Sequence, residues 1–269
     1  QQTDWWAAEN RPDREEVVEI YSEHGSSECT DPTSESCDWR INEDAGYVEA
    51  GSVQSALGRG FRLGFVAGSD SHDARPGSID DGPGPVGHWE DTDGDGEPDR
   101  AMRQFTSGGL TGVWLRGELN EESLFGALRQ RQTIASSGIR PVIRLNARGR
   151  HGESFLMGAT IASHALPLTI SAWTGIPDWD GQVIFERIGP RGTIEEQQTG
   201  PNFTGTWDPS TESWTYLRIR YLFPDGTEER VWISPWFTDG PEPEGCGCVQ
   251  ASPPSGGALG LVFGMILMV

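Results

Sequence analysis

The sequence predicts an α/β region followed by an all-β region. Two patterns support this prediction: strands alternate with helices as far as about residue 140, and strands rich in apolar alternation follow one another after it. The chain has 269 residues, which is enough for one large domain or two modest ones. We therefore predict an α/β domain over residues 1–140, a β-rich domain over 141–238, a linker over 239–257 and a hydrophobic tail over 258–269.

The first region contains three strand-like segments and two amphipathic helical segments. Glycines close the first helix, and Asn120 is a candidate N-cap for the second. Parallel strands joined by helices are the arrangement that such an alternation favours. The segments are a strand at Val17–Tyr21, a helix with Val53, Ala56 and Leu57 on one face, the strand in FRLGFVAGSD, the strand in GGLTGVWLRG, and a helix with Leu124, Phe125 and Leu128 facing inward.

The second region reads as strands separated by turns rich in glycine, proline and aspartate. Apolar and polar residues alternate along each segment, and turn sequences such as PDGT connect them. This pattern predicts an antiparallel sheet or sandwich of about 100 residues. The segments are PVIRLNA, LPLTISAW, QVIFERIG, WTYLRIRYLF and ERVWISPWF.

The charge of the chain restricts its partners. There are 41 acidic and 20 basic side chains, and the formal net charge is −21. Proteins that bind nucleic acids neutralise phosphates with clustered lysine and arginine, so this balance argues against a nucleic-acid partner.

The four cysteines form two close pairs. Cys29 and Cys37 enclose a polar loop without metal-finger spacing, which favours a local disulfide and an oxidising compartment; the alternative is two free surface thiols. Cys246 and Cys248 precede a Pro/Ser/Gly-rich spacer and the run ALGLVFGMILMV. That run is shorter than the roughly 20 apolar residues that span a bilayer.

The order of cysteine motif, spacer and apolar tail resembles the C-terminal sorting signals of myxobacterial surface proteins, in which the cysteine is the processing and anchoring point. The resemblance implies an exported protein at the cell surface or outer membrane, with membrane contact only through the tail. The start of the chain, QQTDWWAAEN, has no basic or apolar signal sequence. We therefore expect the chain to be a fragment of an exported protein.

Acidic and histidine residues cluster where two predicted strands end. Asp70 and His72 follow the apolar run LGFVAG and point the same way along a strand, while Glu19 lies inside the apolar segment VVEIY and His24 follows it. A buried carboxylate needs a partner, and a metal would supply one. This mixed ligand set suits Zn, Mn or Fe. The alternative is a capped strand end with a surface histidine.

Four segments, in order, resemble one family: VVEIYSEHGSSE, LGFVAGSDSHDARPG, GGLTGVWLRGELNEESLFGALRQRQTIASSGIR and RVWISPWF. They are similar to the secreted PHP-type family catalogued as domain of unknown function 3604, over about residues 3–238. PHP denotes polymerase and histidinol phosphatase, a superfamily of distorted (β/α)7 barrels whose clustered metals hydrolyse phosphoesters. The resemblance implies a partial barrel of this kind in residues 1–140, followed by the β-rich part, and a small phosphoester or other anionic substrate.

Position by position, Glu19 resembles the metal-bridging glutamate, His24 the histidine of an HG motif, and Asp70 and His72 the terminal Asp-x-His pair. Ser26, Ser27 and Glu28 match a motif to which we assign no role at this stage. The family's His-x-His would lie N-terminal to Gln1, so the resemblance implies that these residues supply about half of a site.

Two further features carry weaker chemical signals. Arg75 follows the Asp-x-His pair and is a candidate for binding an anionic substrate oxygen, with a turn arginine as the alternative. Asp91, Asp93, Asp95 and Asp99 occupy the spacing of a calcium loop, but Met102 stands where an EF-hand has its bidentate glutamate. Structural calcium and a solvated acidic loop both remain open.

Two functions follow from these patterns. The first is a metal-dependent phosphoesterase-type hydrolase, in which a metal-bound water attacks the substrate. The second is a non-catalytic cell-surface binding module on the same scaffold, with the β-rich half as its interaction surface.

Overall fold

The computed structural model describes residues 4–5, 8–10, 14–22, 25–29, 37, 39, 51–69, 108–176, 180–209, 213–239 and 265–268. Within them lie two α-helices, two short 3-10 helices and fifteen strands in three sheets. The helices are α1 (Val53–Gly58) and α2 (Glu121–Arg129), and the 3-10 turns are Ser163–Ala165 and Pro190–Gly192. The strands are β1 (Val17–Ser22), β2 (Gly25–Ser26), β3 (Gly64–Ala67), β4 (Leu110–Leu115), β5 (Thr133–Ser136), β6 (Val142–Arg148), β7 (Ser154–Phe155), β8 (Thr160–Ile161), β9 (Leu168–Gly175), β10 (Gln182–Ile188), β11 (Ile194–Thr199), β12 (Asn202–Trp207), β13 (Trp214–Leu222), β14 (Glu228–Thr238) and β15 (Met265–Met268).

The predicted fold class, α/β with a partial distorted (β/α)7 barrel followed by an all-β part, is wrong. The described residues are mostly β-strand, and their two helices are too few to cover a barrel. One predicted strand–helix–strand unit is present: β1 and β3 pair in parallel, with α1 between them in the chain. No parallel unit forms around α2, because β4 pairs antiparallel with β5, a strand after α2 that the sequence pattern did not predict. A helix between two strands in sequence therefore did not imply a parallel crossover.

Both helices have side-chain N-caps, and the predicted cap Asn120 is confirmed. Ser52 Oγ accepts a hydrogen bond from the Ser55 N–H at the start of α1, and Asn120 forms a capping box with Ser123 at the start of α2. The predicted inward face of α1 is confirmed, since Val53, Ala56 and Leu57 are buried. On α2 the inward placement of Phe125 is wrong: that side chain is half exposed, and Ala127, Leu124 and Leu128 pack against β4 instead.

The largest sheet has the strand order β11-β10-β13-β14-β5-β4-β15, with β8 beside β14. A second sheet, in the order β12-β9-β6-β7, is antiparallel throughout. One face of the largest sheet packs on this second sheet around a common apolar core that includes Phe185, Ile219 and Ile233 from the first and Ile143 and Ile170 from the second. The five segments predicted as strands after residue 140 are all strands, as β6, β9, β10, β13 and β14.

The third sheet, in the order β2-β1-β3, and helix α1 cover the opposite face of the largest sheet. Aromatic pairs join the layers: Tyr21 stacks on Trp232 with ring centroids 5.6 Å apart, and Phe65 meets Tyr216 edge-on at 5.1 Å. Strands β13 and β14 are therefore buried on both faces. Strands β4 and β5, which precede residue 140, lie in the same sheet as β14. Backbone hydrogen bonds therefore join the parts of the chain before and after residue 140.

No helix in the described part of the chain is both long enough and apolar enough to cross a membrane.

Candidate functional site

The carboxyl ends of β1 and β3 form one edge, because the two strands are parallel. Gly68 follows β3 at this edge and is hydrogen-bonded on both sides: its N–H donates to the Tyr21 carbonyl at 3.1 Å, and its carbonyl accepts from the Gly109 N–H at 2.8 Å. The chain continues from Ser69 into Asp-Ser-His. Gly68 therefore lies directly beside the end of β1, two residues before Asp70 in the sequence.

Glu19 lies at this edge. Its position in β1 is opposite Val66 of β3, and a Cβ atom built on Gly68 would stand 2.8 Å from Glu19 Oε2. Glycine at position 68 thus leaves room for the carboxylate. The sequence argument that Glu19 is a buried carboxylate is wrong, because Glu19 is exposed. Its charge therefore meets solvent at the edge where parallel α/β units assemble their sites.

A close strand contact supports the same edge from the side of β4. Thr111 Oγ1 accepts from the Ala67 N–H at 3.0 Å and donates to the Ala67 carbonyl at 2.8 Å. At Gly109 a Cβ would come within 2.6 Å of Ala67 Cβ and 2.8 Å of the Gly68 carbonyl oxygen, so only glycine fits there. Sequence reasoning missed this contact, although the pair Gly108-Gly109 ahead of a strand signals a close backbone approach.

Most of the other predicted site residues lie outside the described residues, and their convergence with Glu19 stays a prediction. They are His24, Asp70, His72, Arg75, Asp91, Asp93, Asp95, Asp99, Cys246 and Cys248. Among the residues that the structure does describe, no group of three or more His, Cys, Asp or Glu side chains is arranged to hold a metal ion. The described part of the candidate metal site is therefore the edge with Glu19.

The Ser26-Ser27-Glu28 motif forms a buried anchor between the layers. Glu28 is 2% exposed, and its carboxylate accepts hydrogen bonds from Tyr216 Oη at 2.6 Å, Arg218 Nη1 at 2.9 Å and Trp232 Nε1 at 2.9 Å. All three donors belong to the largest sheet. A buried carboxylate is stable only when it is paired and hydrogen-bonded, and Glu28 meets both conditions.

The backbone around Glu28 ties this anchor to β1 and α1. The Ser27 N–H donates to the Ile20 carbonyl at 2.8 Å, while the Ser27 and Glu28 carbonyls accept from the Val53 and Gln54 N–H groups at 2.8 and 3.1 Å. Gln54 Nε2 also donates to Tyr216 Oη at 2.8 Å. The motif therefore joins the strand that carries Glu19, the first turn of α1 and the largest sheet.

Beyond Glu28 the ionic contacts continue across the large sheet. Glu186 and Arg218 are opposite each other on β10 and β13, and Arg218 Nε donates to Glu186 Oε2 at 2.7 Å. Arg220 donates to both oxygens of Glu228, at 2.8 and 2.6 Å, and Arg230 Nε donates to Glu228 Oε1 at 2.5 Å. Three carboxylates and three guanidinium groups thus balance one another within the described residues, a set that we call the ionic anchor: Glu28, Glu186, Glu228, Arg218, Arg220 and Arg230.

The contacts of the anchor shift the pKa values of Arg218, Tyr216 and Glu228. Burial alone would lower the pKa of Arg218, but Glu28 and Glu186 raise it above its ordinary value. Burial, together with the negative charge of Glu28, raises the pKa of Tyr216. Burial alone would raise the pKa of Glu228, but the hydrogen bonds from Arg220 and Arg230 lower it below 4.5. Tyr216 is therefore a neutral donor, and Arg218 stays charged.

A disulfide closes the segment that follows the motif. Cys29 and Cys37 are bonded, with their Cα atoms 5.6 Å apart, so the predicted local disulfide is confirmed. Trp39 lies two residues beyond it; its backbone carbonyl accepts from the Ser26 N–H at 2.6 Å, and the Arg230 guanidinium lies 4.2 Å from the centroid of its ring. The disulfide ties Cys37 to the residue after Glu28, and the cation–π contact packs Trp39 on the ionic anchor.

Comparison with known proteins identifies a family that is defined without an activity. The chain belongs to the family described as "Protein of unknown function (DUF3604)", whose match covers residues 1–166. It is 35% identical over 132 residues to a protein of Chlamydia trachomatis serovar D named only "Uncharacterized protein". That match covers 49% of this chain and 18% of the relative, so the chain spans less than a fifth of the relative's length. No solved structure matches the chain.

Proposed function

We propose that this chain is part of a metal-dependent hydrolase of the phosphoesterase type, related to the PHP superfamily, and that the carboxyl edge of β1 and β3 carries its metal ligands. One observation supports this most directly: the exposed Glu19 carboxylate stands over Gly68, two residues before Asp70 in the chain. Family membership is consistent with the proposal but supplies no activity, because the family is defined without one.

The donor chemistry of this edge fits a divalent transition metal. The exposed carboxylate of Glu19, which lies beside Gly68, is a suitable oxygen ligand for Zn, Mn or Fe, and Asp70, His72 and His24 would add one carboxylate and two imidazoles. When bound, such a metal supplies a water of lowered pKa and a positive charge for a phosphoester. Arg75 is proposed to bind an oxygen of the anionic substrate.

In this proposal Glu28 is a positioning residue. It does not reach the edge, but it fixes Ser26 and Ser27, which hydrogen-bond to Ile20, the residue that follows Glu19. The hairpin pairs Tyr21 with Ser26 and Ser22 with Gly25, the residue that follows His24 in the chain. The ionic anchor therefore fixes the backbone next to two of the proposed ligands, Glu19 and His24.

Export to the cell surface is also a proposal. The disulfide between Cys29 and Cys37 supports it, because disulfides persist in oxidising compartments. Anchoring through Cys246 or Cys248 and the apolar tail, and structural calcium at the Asp91–Asp99 loop, are proposals that rest on the sequence alone.

Isothermal titration with Zn²⁺ and Mn²⁺ tests the metal proposal. We expect weak binding by the 269-residue chain, and tight binding by a longer protein that also contains the histidines implied upstream of Gln1. Glu19→Gln, Asp70→Asn and His72→Ala should each abolish tight binding and phosphoesterase turnover, whereas Glu118→Gln, at an exposed position in the turn after β4, should change neither. Tight binding that survives Glu19→Gln would overturn the assignment.

A non-catalytic binding module is the second candidate, and one observation favours it. The sheet β12-β9-β6-β7 buries only one of its faces, and the other presents alternating exposed side chains along β6 and β12. Such a surface can bind a partner without any metal. A longer protein that lacks the upstream histidines and shows no phosphoesterase turnover would favour this second function.

A further inference from the structure

The solvent-facing side of the second sheet carries polar side chains and one tryptophan. Alternate residues of β6, β9 and β12 point outward because the intervening ones are buried in the core. The strand register aligns these outward side chains in three rows that run across the strands. The rows are Arg144–Trp173–Asn202, Asn146–Ser171–Thr204 and Arg148–Thr169–Thr206, and we call this surface the outer face.

Trp173 lies flat on the outer face. A Cβ at Gly175 would come within 2.8 Å of the indole Cη2 and 2.9 Å of Cζ2, so the ring covers the glycine next along that side of the strand. Arg144, directly opposite on β6, places its guanidinium carbon 5.0 Å from the ring centroid. Trp173 remains partly exposed. A fixed indole with a guanidinium beside it is a stacking surface that also offers charged donors.

The charge of the outer face is opposite to that of the chain. Although the net charge is −21, the run from Leu124 to Gly152 contains no aspartate or glutamate and includes six arginines. Two of these, Arg144 and Arg148, project from β6 onto the outer face, and Arg150 is exposed in the turn that follows. The outward positions of the three rows include no carboxylate. This face therefore attracts anions on a protein that otherwise repels them.

We propose that the outer face binds an acidic polysaccharide, that is, a glycan whose sugar rings carry carboxylates. A sugar ring presents C–H groups that pack on the negative face of an indole. The serine, threonine and asparagine side chains of the rows supply hydrogen-bonding groups for hydroxyls. Arg144 and Arg148 would bind carboxylates; four residues along a strand separate their Cα atoms by about 13 Å.

The spacing and number of these arginines distinguish this ligand from nucleic acid. Duplex DNA carries a charge about every 1.7 Å, and proteins that bind it neutralise many phosphates with a dense basic surface. The outer face offers two arginines among hydroxyl and amide groups, which suits a chain of sparser charge. This inference does not depend on the metal proposal, and it gives the second candidate function a ligand class.

Titration of the 269-residue chain with an oligogalacturonate, in the presence of EDTA, tests the proposal. EDTA removes divalent cations, so binding at the outer face persists while binding through a metal site does not. We expect saturable binding to oligogalacturonate and none to a dextran oligomer of equal length. Arg144→Gln with Arg148→Gln should weaken binding by about tenfold or more. Arg116→Gln removes one exposed arginine elsewhere and should leave the affinity unchanged.

Variants of Trp173 provide a second test of the proposal. Trp173→Ala should weaken binding by about tenfold while Trp173→Phe retains most of it, and circular dichroism establishes that both variants are folded. Absence of oligogalacturonate binding would overturn the proposal, as would equal affinities of the double arginine variant and Arg116→Gln. Binding to a DNA duplex that is as tight as binding to oligogalacturonate would also overturn it, because the surface would then be a general polyanion site.

Discussion

Removing the Glu28 carboxylate should destabilise the protein more than any exposed substitution. Glu28→Ala deletes the common acceptor of Tyr216, Arg218 and Trp232, and it leaves Arg218 with Glu186 as its remaining ion-pair partner in the anchor. Both Glu28 and Arg218 are almost fully buried. Breaking a buried ion pair by removing one partner costs about 3–5 kcal/mol, and we expect a loss of that size in the free energy of unfolding.

Urea unfolding followed by tryptophan fluorescence measures this loss, since Trp232 contacts the carboxylate directly. Glu28→Gln keeps the shape but not the charge and should lie between wild type and Glu28→Ala. Tyr216→Phe removes one donor and should cost about 1–2 kcal/mol, and its effect should be non-additive with that of Glu28→Gln. Glu118→Gln is the exposed control. A Glu28→Ala variant as stable as this control would show that the Glu28 carboxylate does not stabilise the fold.

Three further predictions concern the surroundings of the anchor. Cys29→Ser with Cys37→Ser should lower the free energy of unfolding by about 2–3 kcal/mol, measured by urea unfolding against wild type with and without reductant; no loss would mean that the disulfide constrains nothing. The pKa of Glu228 is lowered on folding, so its ionised form stabilises the fold fully above its ordinary pKa of 4.5, and this stabilisation is lost as the pH falls through the folded pKa. The melting temperature of Glu228→Gln should therefore fall less steeply than that of wild type below about pH 4.5. Identical dependence of the two melting temperatures on pH would contradict this. Gly109→Ala should lower the free energy of unfolding by about 1–3 kcal/mol, because it forces β4 away from Ala67. Gly117→Ala should cost less, because no atom lies within 4 Å of the added Cβ and only the positive φ of 98° causes strain. Equal losses of stability in the two variants would contradict the close contact at Gly109.

The strands after residue 140 could be predicted from the sequence because period-two alternation is a local signal. It identified β6, β9, β10, β13 and β14. Strands β11 and β12 were missed. The β11 segment IEEQQT has almost no apolar residues and lies at the edge of its sheet, and the β12 segment NFTGTW has Phe203 and Trp207 as its only large apolar residues. Apolar alternation marks a strand only when one face of it is buried.

The arrangement of the elements could not be predicted in the same way. The expectation of parallel units after β3 failed, since the partners of β4 and β5 are decided by distant strands, among them β14. Family resemblance supplied the barrel, and the described residues do not form one. Pairing over such distances depends on the packing of whole layers, which no short window of sequence contains.

The ionic anchor shows the same limit for the candidate site. The Ser26-Ser27-Glu28 motif was visible in the sequence, but Arg218 lies 190 residues from Glu28 and Trp232 lies 204 residues away. A usable signal existed in the strands themselves, because Arg218 and Arg220 alternate with apolar residues in WTYLRIRYL, and Glu186 follows the apolar run VIF in QVIFERI. Charged residues at inward positions of several strands indicate that they meet one another.

Anomalous diffraction can show directly whether Glu19 binds a metal ion. Crystals of a longer protein that contains this chain, grown with Mn²⁺ and measured at the manganese absorption edge, would locate the bound ion without assuming its ligands. We expect an anomalous peak about 2.0–2.3 Å from a carboxylate oxygen of Glu19, with Asp70 and His72 at similar distances. A well-occupied peak elsewhere in the protein, with the Glu19 carboxylate turned away from it, would contradict the proposed metal site.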